Sequence, residues 1–436
     1  MSTPPPAALG MPKTVFLLML VVACAHFNRV GITVAGTERI IPEYGIDPAK
    51  MGLVYSAFLA IYTLAMLPGG LLIDRFGARR ALLGLGFGSA VFVALTAGVG
   101  FVFHGASAVW LGLMVVRSLL GLVNAPLHPA SAHMVFEQVP TRSKALANGL
   151  VNSAACVGIA ATYLVMGKLI DLFDWPIAFL ISSGMTLVVA LAWTAGTASA
   201  RAPEKPAVPR PPLDLSGLRL MLRRRSVICI TLSYAAYGYF QYMFFYWITY
   251  YFETIRHESA SVSRWYSTVI TLAMGVGMIC GGRLTDRVPR SFSPRARRAF
   301  VPVVGMFASG GVFELGILGQ TPQTTFAAFA VSAALLGACE AAFWTTAVEL
   351  GGSFGGSAAG MLNTGGNAGG ALSPYLTPLL SSYFAQQYGA DSGWRLGLAV
   401  AGAVVAVGGV LWWGVDPERD AHVKPSDPEP SPHKLE

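Results

Sequence analysis

Apolar residues run through most of this chain in long stretches broken by short polar turns. Twelve such stretches of about 20 residues or more lie near 13–37, 49–72, 80–102, 107–136, 143–169, 174–197, 226–252, 262–284, 298–319, 323–348, 355–384 and 393–414. A helix needs that length to cross the ~30 Å hydrocarbon core of a bilayer. The pattern therefore predicts an all-α membrane protein with twelve transmembrane helices. The longest polar stretch, 198–225, is rich in proline and basic residues and divides the spans six and six. It predicts a cytoplasmic linker between two bundles, 13–197 and 226–414, flanked by tails at 1–12 and 415–436.

Composition agrees with a lipid environment. Hydrophobic residues make up 54% of the 436 positions and charged residues only 12%, and the mean hydropathy is +0.57. A soluble protein carries roughly 25% charged residues. The net charge of +8 raises the question of nucleic acid, which the placement of the basic residues answers. With the N-terminus inside, 22 of the 30 Lys and Arg fall in cytoplasmic segments, 6 in outer loops, and two, Arg29 and Arg117, within spans. That bias puts both termini in the cytoplasm and makes the charge a topology signal, with no nucleic-acid partner implied. Met1 to Gly10 lacks the basic n-region of a cleaved signal, and His433 to Glu436 reads as a cloning remnant. The five cysteines lie in apolar runs without metal-binding spacing, so neither a metal site nor a cofactor is expected.

The two halves resemble each other. Gly69-Gly70-Leu71-Leu72-Ile73-Asp74-Arg75 ends the second span and Gly281-Gly282-Arg283-Leu284-Thr285-Asp286-Arg287 the eighth, matching at five of seven positions. A six-helix repeat explains this and predicts pseudo-two-fold symmetry, with a substrate site near mid-membrane between the halves. The glycine runs of the eleventh span, 351–356 and 365–370, read either as close helix packing or as a helix that bends during gating.

Ionisable groups inside the spans carry most of the functional information. A charge at the bilayer centre costs at least about 2.5–3.5 kcal/mol and normally faces a cavity or a partner. Arg29 lies well inside the first span. Arg117 lies about ten residues, or ~15 Å, into the fourth. Neither helix offers an acid nearby. Asn28 adjoins Arg29, and Asn124 follows Arg117 by two turns. Two unpaired arginines suggest an anionic ligand, since the guanidinium fork grips a carboxylate bidentately; a purely structural role is the alternative. Glu340 in the tenth span is the candidate proton-coupling carboxylate, or else a glutamate held at a helix interface. The repeat places it opposite His128. His26, one turn before Arg29, is a further candidate. The seventh span is crowded with aromatics; belt and core packing account for most, while Tyr237 and Gln241 are candidates to line a hydroxyl-rich site. The segment Gly70, Asp74, Arg75, Gly77, Arg79, Arg80, with its weaker copy at Asp286 and Arg287, reads as topological charge or as a charge lock to the neighbouring bundle.

That segment resembles the signature loop of the major facilitator superfamily. Within it, the stretches 28–35, 51–58, Pro68-Gly69-Gly70, Asn124-Ala125-Pro126 and 363–370 resemble the anion:cation symporters, among them bacterial galactonate, glucarate, hexuronate and tartrate permeases and the eukaryotic sialin. The resemblance implies that Arg29 and Arg117 hold a substrate carboxylate and that His26, Tyr62, Trp344 and Asn363 line the pocket. Two departures stand out. Proton-coupled members carry an aspartate before the first-helix arginine and a glutamate in the fourth helix, where this chain has Asn28 and Asn124. An amide does not bind and release a proton near neutral pH. The site then stays net positive, which favours a doubly charged anion, with exchange or facilitated diffusion as alternatives to proton or cation symport.

The expectation is a secondary transporter, moving a sugar acid, hydroxy- or dicarboxylate across a bacterial inner membrane as a monomer in the lipid bilayer. An enzyme is not expected, because no HExxH and no His/Asp cluster occurs. A receptor without transport is the remote rival.

Overall fold

The computed structural model describes residues 11–140, 144–198, 224–289, 291–351 and 355–416, and these are helical almost throughout. The first half holds α1 (Met11–Ala35), α2 (Pro48–Phe76), α3 (Ala78–Val102) and α4 (Ala106–Asn124). It closes with one long run, Lys144–Gly196, which Asp174, at φ 66°, breaks into α5 (144–173) and α6 (175–196). The second half holds α7 (Arg225–Tyr250), α8 (Ala260–Arg287), α9 (Pro294–Ile317), α10 (Pro322–Gly351), α11 (Gly355–Tyr388) and α12 (Ala390–Leu411). These are the twelve expected spans. The expected linker 198–225 and both tails lie almost wholly outside the described residues.

Local chemistry sets the boundaries. Asp47 caps α2, its carboxylate accepting from the Ala49 and Lys50 amides at 2.8 and 3.4 Å, with Pro48 at the first helical position. Gly77 separates α2 from α3 at φ +85°, a conformation that suits a residue without Cβ. Ser259 and Ser293 cap α8 and α9. The fourth span differs from its expected continuous 107–136. It stops at Asn124 and resumes as a short helix, Leu127–Gln138, because Pro126 has no amide hydrogen to extend the ladder. The first helix of each half ends in the same irregularity, a π-helical turn, at Gly36–Ile40 and Tyr251–Ile255. The repeat is thus structural as well as sequential.

Large apolar side chains such as Leu64, Val188, Leu315 and Val407 are exposed on the outside of the bundle, where lipid would cover them. The polar groups turn inward. Within the second half the glycines of α11 allow contact of main chain with main chain. A Cβ on Gly238 of α7 would meet the Gly366 carbonyl, and one on Gly369 the Ala235 carbonyl. Close packing therefore accounts for the 365–370 run, and α11 is helical across it.

The halves meet along α2 with α11 and α5 with α8. Much of this seam lies toward the outer face. Tyr163 of α5 donates to the Phe245 carbonyl at 3.0 Å, and Thr268 of α8 to the Ala160 carbonyl at 3.2 Å. Tyr55 of α2 packs on Tyr246 and Trp247 of α7, with ring centroids 5.2 and 5.7 Å apart. Gly52 sits against the Pro374 carbonyl, leaving no room for a side chain.

An ionic clamp closes the outer end. Arg264, at the start of α8, donates Nε and Nη2 to the two Glu38 oxygens at 2.7 and 2.5 Å. Its Nη1 and Nη2 donate to the two Asp171 oxygens at 2.6 and 2.8 Å. Both guanidinium forks are filled, one by a carboxylate from the turn after α1 and one by the end of α5. The side chains of Arg264 and Glu38 are 7% and 2% exposed, and that of Asp171 is 44% exposed. This clamp was not foreseen from sequence, where Arg264 counted as an outer-loop charge. The clamp ties the two halves together at this end.

The cytoplasmic signature segment does not form a comparable bond among the described residues. Arg79 donates to Thr197 Oγ1 at 3.0 Å, within its own half. Arg75 lies over the Phe76 ring at 5.3 Å, and Arg75, Arg80 and Arg287 are exposed. Gly70 faces open space. The side chains of Asp74 and Asp286 lie outside the described residues. The ion pairs between the halves that the described residues show are those of Arg264, at the outer end.

Candidate functional site

The first-span residues divide by helix geometry. Successive residues on an α-helix point about 100° apart, so Asn28 and Arg29 face different neighbours. Asn28 is buried toward α6, where its Nδ2 donates to Thr186 Oγ1 at 2.7 Å and its Oδ1 accepts from Ser182 at 2.6 Å. Asn124 likewise turns toward α3, donating to Ser89 Oγ at 3.1 Å and to the Leu120 carbonyl at 2.8 Å. Asn28 and Asn124, the amides nearest the two arginines in sequence, are thus tied into contacts between helices.

Arg29 faces the seam between the halves and is 6% exposed. Its guanidinium carbon lies 5.1 Å from the Phe58 ring centroid, 5.0 Å from Tyr62 and 5.1 Å from Tyr242. Its Nε and Nη2 are buried and make no hydrogen bond of good geometry among the described residues, while the Tyr242 and Tyr246 hydroxyls lie within hydrogen-bonding reach of the guanidinium. Cation–π contact contributes roughly 0.5–2 kcal/mol. That leaves two donors unsatisfied, a cost of about 1–3 kcal/mol each or more where the group is charged.

Arg117 is 1% exposed and placed differently. Its Nη2 donates to the main-chain carbonyls of Asn28 and Arg29 at 3.0 and 2.7 Å. Nη2 is common to both two-nitrogen edges of a guanidinium, so neither edge of Arg117 is whole. Its Nε and Nη1 are buried without a partner among the described residues. Arg117 braces the helix that carries Arg29, and Arg29 keeps a complete Nε/Nη2 fork.

The remaining candidates fall into two groups around this pair. Tyr62 stacks on Phe58 beside Arg29. His26 donates Nδ1 to the Val22 carbonyl at 2.9 Å, and its ring meets His128 edge-on at 5.4 Å. Asn363 and Asn367 of α11 hydrogen-bond to each other at 3.0 Å and lie near Met66 of α2. The Tyr242 hydroxyl reaches Asn367 Oδ1 at 3.5 Å. Gln241 points to Met274 Sδ at 3.5 Å. Glu340 forms a second group, its Oε1 accepting from Tyr234 at 2.7 Å and from Trp344 Nε1 at 2.8 Å. Tyr237 stacks on Tyr234 with centroids 5.2 Å apart.

Tyr242, Tyr246 and Asn367 were not singled out from sequence. Their signal was present but ambiguous, because α7 is aromatic on several faces and belt residues look the same. The stripe Tyr234, Tyr242, Tyr246 at intervals of eight and four marks the face of α7 that meets both charged groups. Among the described residues no cluster of His, Cys, Asp and Glu fit to hold a metal occurs.

Comparison with known proteins agrees with this architecture. The chain is 26% identical over 300 residues to a D-galactonate transporter of Escherichia coli, covering 64% of this chain and 67% of that one. It is 26% identical over 428 residues to a probable sulfoacetate transporter of Cupriavidus necator, covering 92% and 93%. A solved bacterial homologue of the human lysosomal transporter Spinster superposes with a TM-score of 0.76 at 17% identity, over 93% of this chain and 96% of that one. That likeness shows a shared fold. The Major Facilitator Superfamily matches residues 18–374. The chain is a multi-pass membrane transporter, not an enzyme, and it belongs to the Major Facilitator Superfamily.

Proposed function

We propose that this protein carries a small organic anion across a bacterial inner membrane by alternating access, with the anion's carboxylate seated on the Nε/Nη2 fork of Arg29. The observation that carries this reading is the buried, unpaired edge of that guanidinium. Buried polar groups are nearly always hydrogen-bonded, and a charged fork whose Nε and Nη2 make no well-formed protein hydrogen bond suits a ligand with two oxygens in one plane. Relatives named for galactonate and sulfoacetate carry a carboxylate in their substrates, which favours the same chemistry. Arg117 contributes mainly by holding the backbone of α1 at Asn28 and Arg29, and Tyr62, Tyr242 and Tyr246 wall the fork. His26, Asn363 and Trp344 are contacts proposed for the rest of the ligand. The Arg264 clamp serves as the outer gate, which has to separate before the outer path opens.

Asn28 and Asn124 favour a second reading, exchange or facilitated diffusion, because both are amides and both are already hydrogen-bonded between helices. Symport would require a proton carrier elsewhere, for which Glu340 is the candidate. The test of the anion site is a thermal-shift panel of organic acids on the purified protein and on Arg29→Lys. A ligand at 100 times its dissociation constant stabilises by about 2.7 kcal/mol. Stabilisation by one class of acid, lost in Arg29→Lys, supports the site; equal response of both proteins refutes it.

A further inference from the structure

The sequence suggests a site with two arginines and no local acid, suited to a doubly charged anion. The structure adds a carboxylate. Glu340 of α10 and Arg29 of α1 lie on opposite sides of the seam, joined by the aromatic face of α7. Tyr234 on that face donates to Glu340, and Tyr242, two turns further along, lies over Arg29. Eight residues of helix separate those tyrosines, about 12 Å of rise. Tyr242 is also within electrostatic reach of Glu340. The same aromatic face of α7 therefore touches a cationic pole and an acidic pole.

The two oxygens of Glu340 are not equivalent. Oε1 accepts from the Tyr234 hydroxyl and the Trp344 indole; an indole N–H only donates. Oε2 is buried and makes no hydrogen bond of good geometry among the described residues, with the Tyr237 hydroxyl the donor in reach of the carboxylate. A ligand group placed there suits the site if it donates. A hydroxyl does so; a carboxylate has only acceptors to offer and carries like charge. Repulsion of this kind discriminates by several kcal/mol.

Resting on the reading of Arg29 as the carboxylate fork, we propose that Glu340 is a specificity-determining residue that selects polyhydroxy monocarboxylates over dicarboxylates of the same length. The far end of the substrate then presents a hydroxyl to Oε2, with Tyr237 and Trp344 walling it.

Matched acids test this directly. D-gluconate with D-glucarate, and D-galactonate with galactarate, differ within each pair only in the last carbon, a hydroxymethyl or a carboxylate. Their affinities are measured by isothermal titration on the purified full-length protein, on Arg29→Lys and on Glu340→Gln. The unmodified protein is expected to favour at least one aldonate over its aldarate by on the order of a hundredfold. Glu340→Gln keeps the acceptor for Tyr234 and Trp344 and places an amide donor at the other position. It is expected to cut that ratio by roughly tenfold or more, a change that loss of general stability does not produce. An unchanged ratio, with both acids still bound in an Arg29-dependent way, overturns the role of Glu340 and leaves the carboxylate fork standing. Equal or tighter aldarate binding by the unmodified protein overturns it without any variant. Binding of none of the four acids overturns this inference, and the thermal-shift panel then decides the fork separately.

Discussion

Neutralising Glu38 should open the outer side of the protein. The reasoning rests on unequal burial in the clamp. Glu38 is 2% exposed and takes two hydrogen bonds from Arg264, whereas Asp171 is 44% exposed. Removing one partner of a buried, hydrogen-bonded ion pair costs about 3–5 kcal/mol, while an exposed pair contributes about 0–1 kcal/mol. The clamp joins α8 to the other half, so that cost falls on the outward-closed state and is relieved when the halves separate. Taking about 3 kcal/mol, Glu38→Gln shifts the closed-to-open ratio on the order of a hundredfold toward open. Asp171→Asn shifts it less than about fivefold. Double electron–electron resonance between spin labels at His104→Cys and Gln320→Cys, both exposed in outer loops of opposite halves, reads the distance distribution in a background without the native cysteines. A longer-distance population that grows strongly in Glu38→Gln and weakly in Asp171→Asn is the expected result. Equal effects of the two variants, or none from Glu38→Gln, would refute the assignment of Glu38 as the buried half of the gate.

Three further outcomes follow from particular contacts. Gly52→Ala places a methyl group against the Pro374 carbonyl, so the same spin-label pair should report an outward shift produced by steric conflict alone, with the Arg264 clamp intact. Arg117→Lys loses the two main-chain hydrogen bonds that brace α1. Charged hydrogen bonds contribute about 1.5–3 kcal/mol each, so its melting temperature should fall while ligand affinity drops less than in Arg29→Lys, in thermal-shift and titration measurements. Asn28→Ala strands Ser182 and Thr186 in a buried interface and should cost about 1–3 kcal/mol of stability with ligand affinity unchanged, which would separate it from the binding residues.

The fold was readable because the bilayer imposes a simple length rule, and because the basic residues divide so unevenly between the two sides. The arginine pair was readable for the same reason, since a charge deep in an apolar span has to be explained. Adjacency misled at Asn28, where one residue along the helix turns the side chain from the seam to α6. The outer clamp was not readable. Glu38 and Arg264 are 226 residues apart and sit near span ends, where charge is ordinary, and only the tertiary fold shows that both are buried. Tyr242 and Tyr246 were hidden among aromatics that an interfacial belt explains equally well. The acidic pole at Glu340 was visible as a residue, but its opposition to Arg29 depends on how α7 lies between α1 and α10.

The central claim is that Arg29 holds the carboxylate of a transported anion. Counterflow of labelled D-galactonate in proteoliposomes, with the unmodified protein, Arg29→Lys and Asn28→Ala compared at equal incorporation, tests it most directly. The account predicts uptake driven by internal unlabelled substrate in the unmodified protein and in Asn28→Ala, and at least a hundredfold loss of apparent affinity in Arg29→Lys. Counterflow by Arg29→Lys with the affinity of the unmodified protein would contradict it.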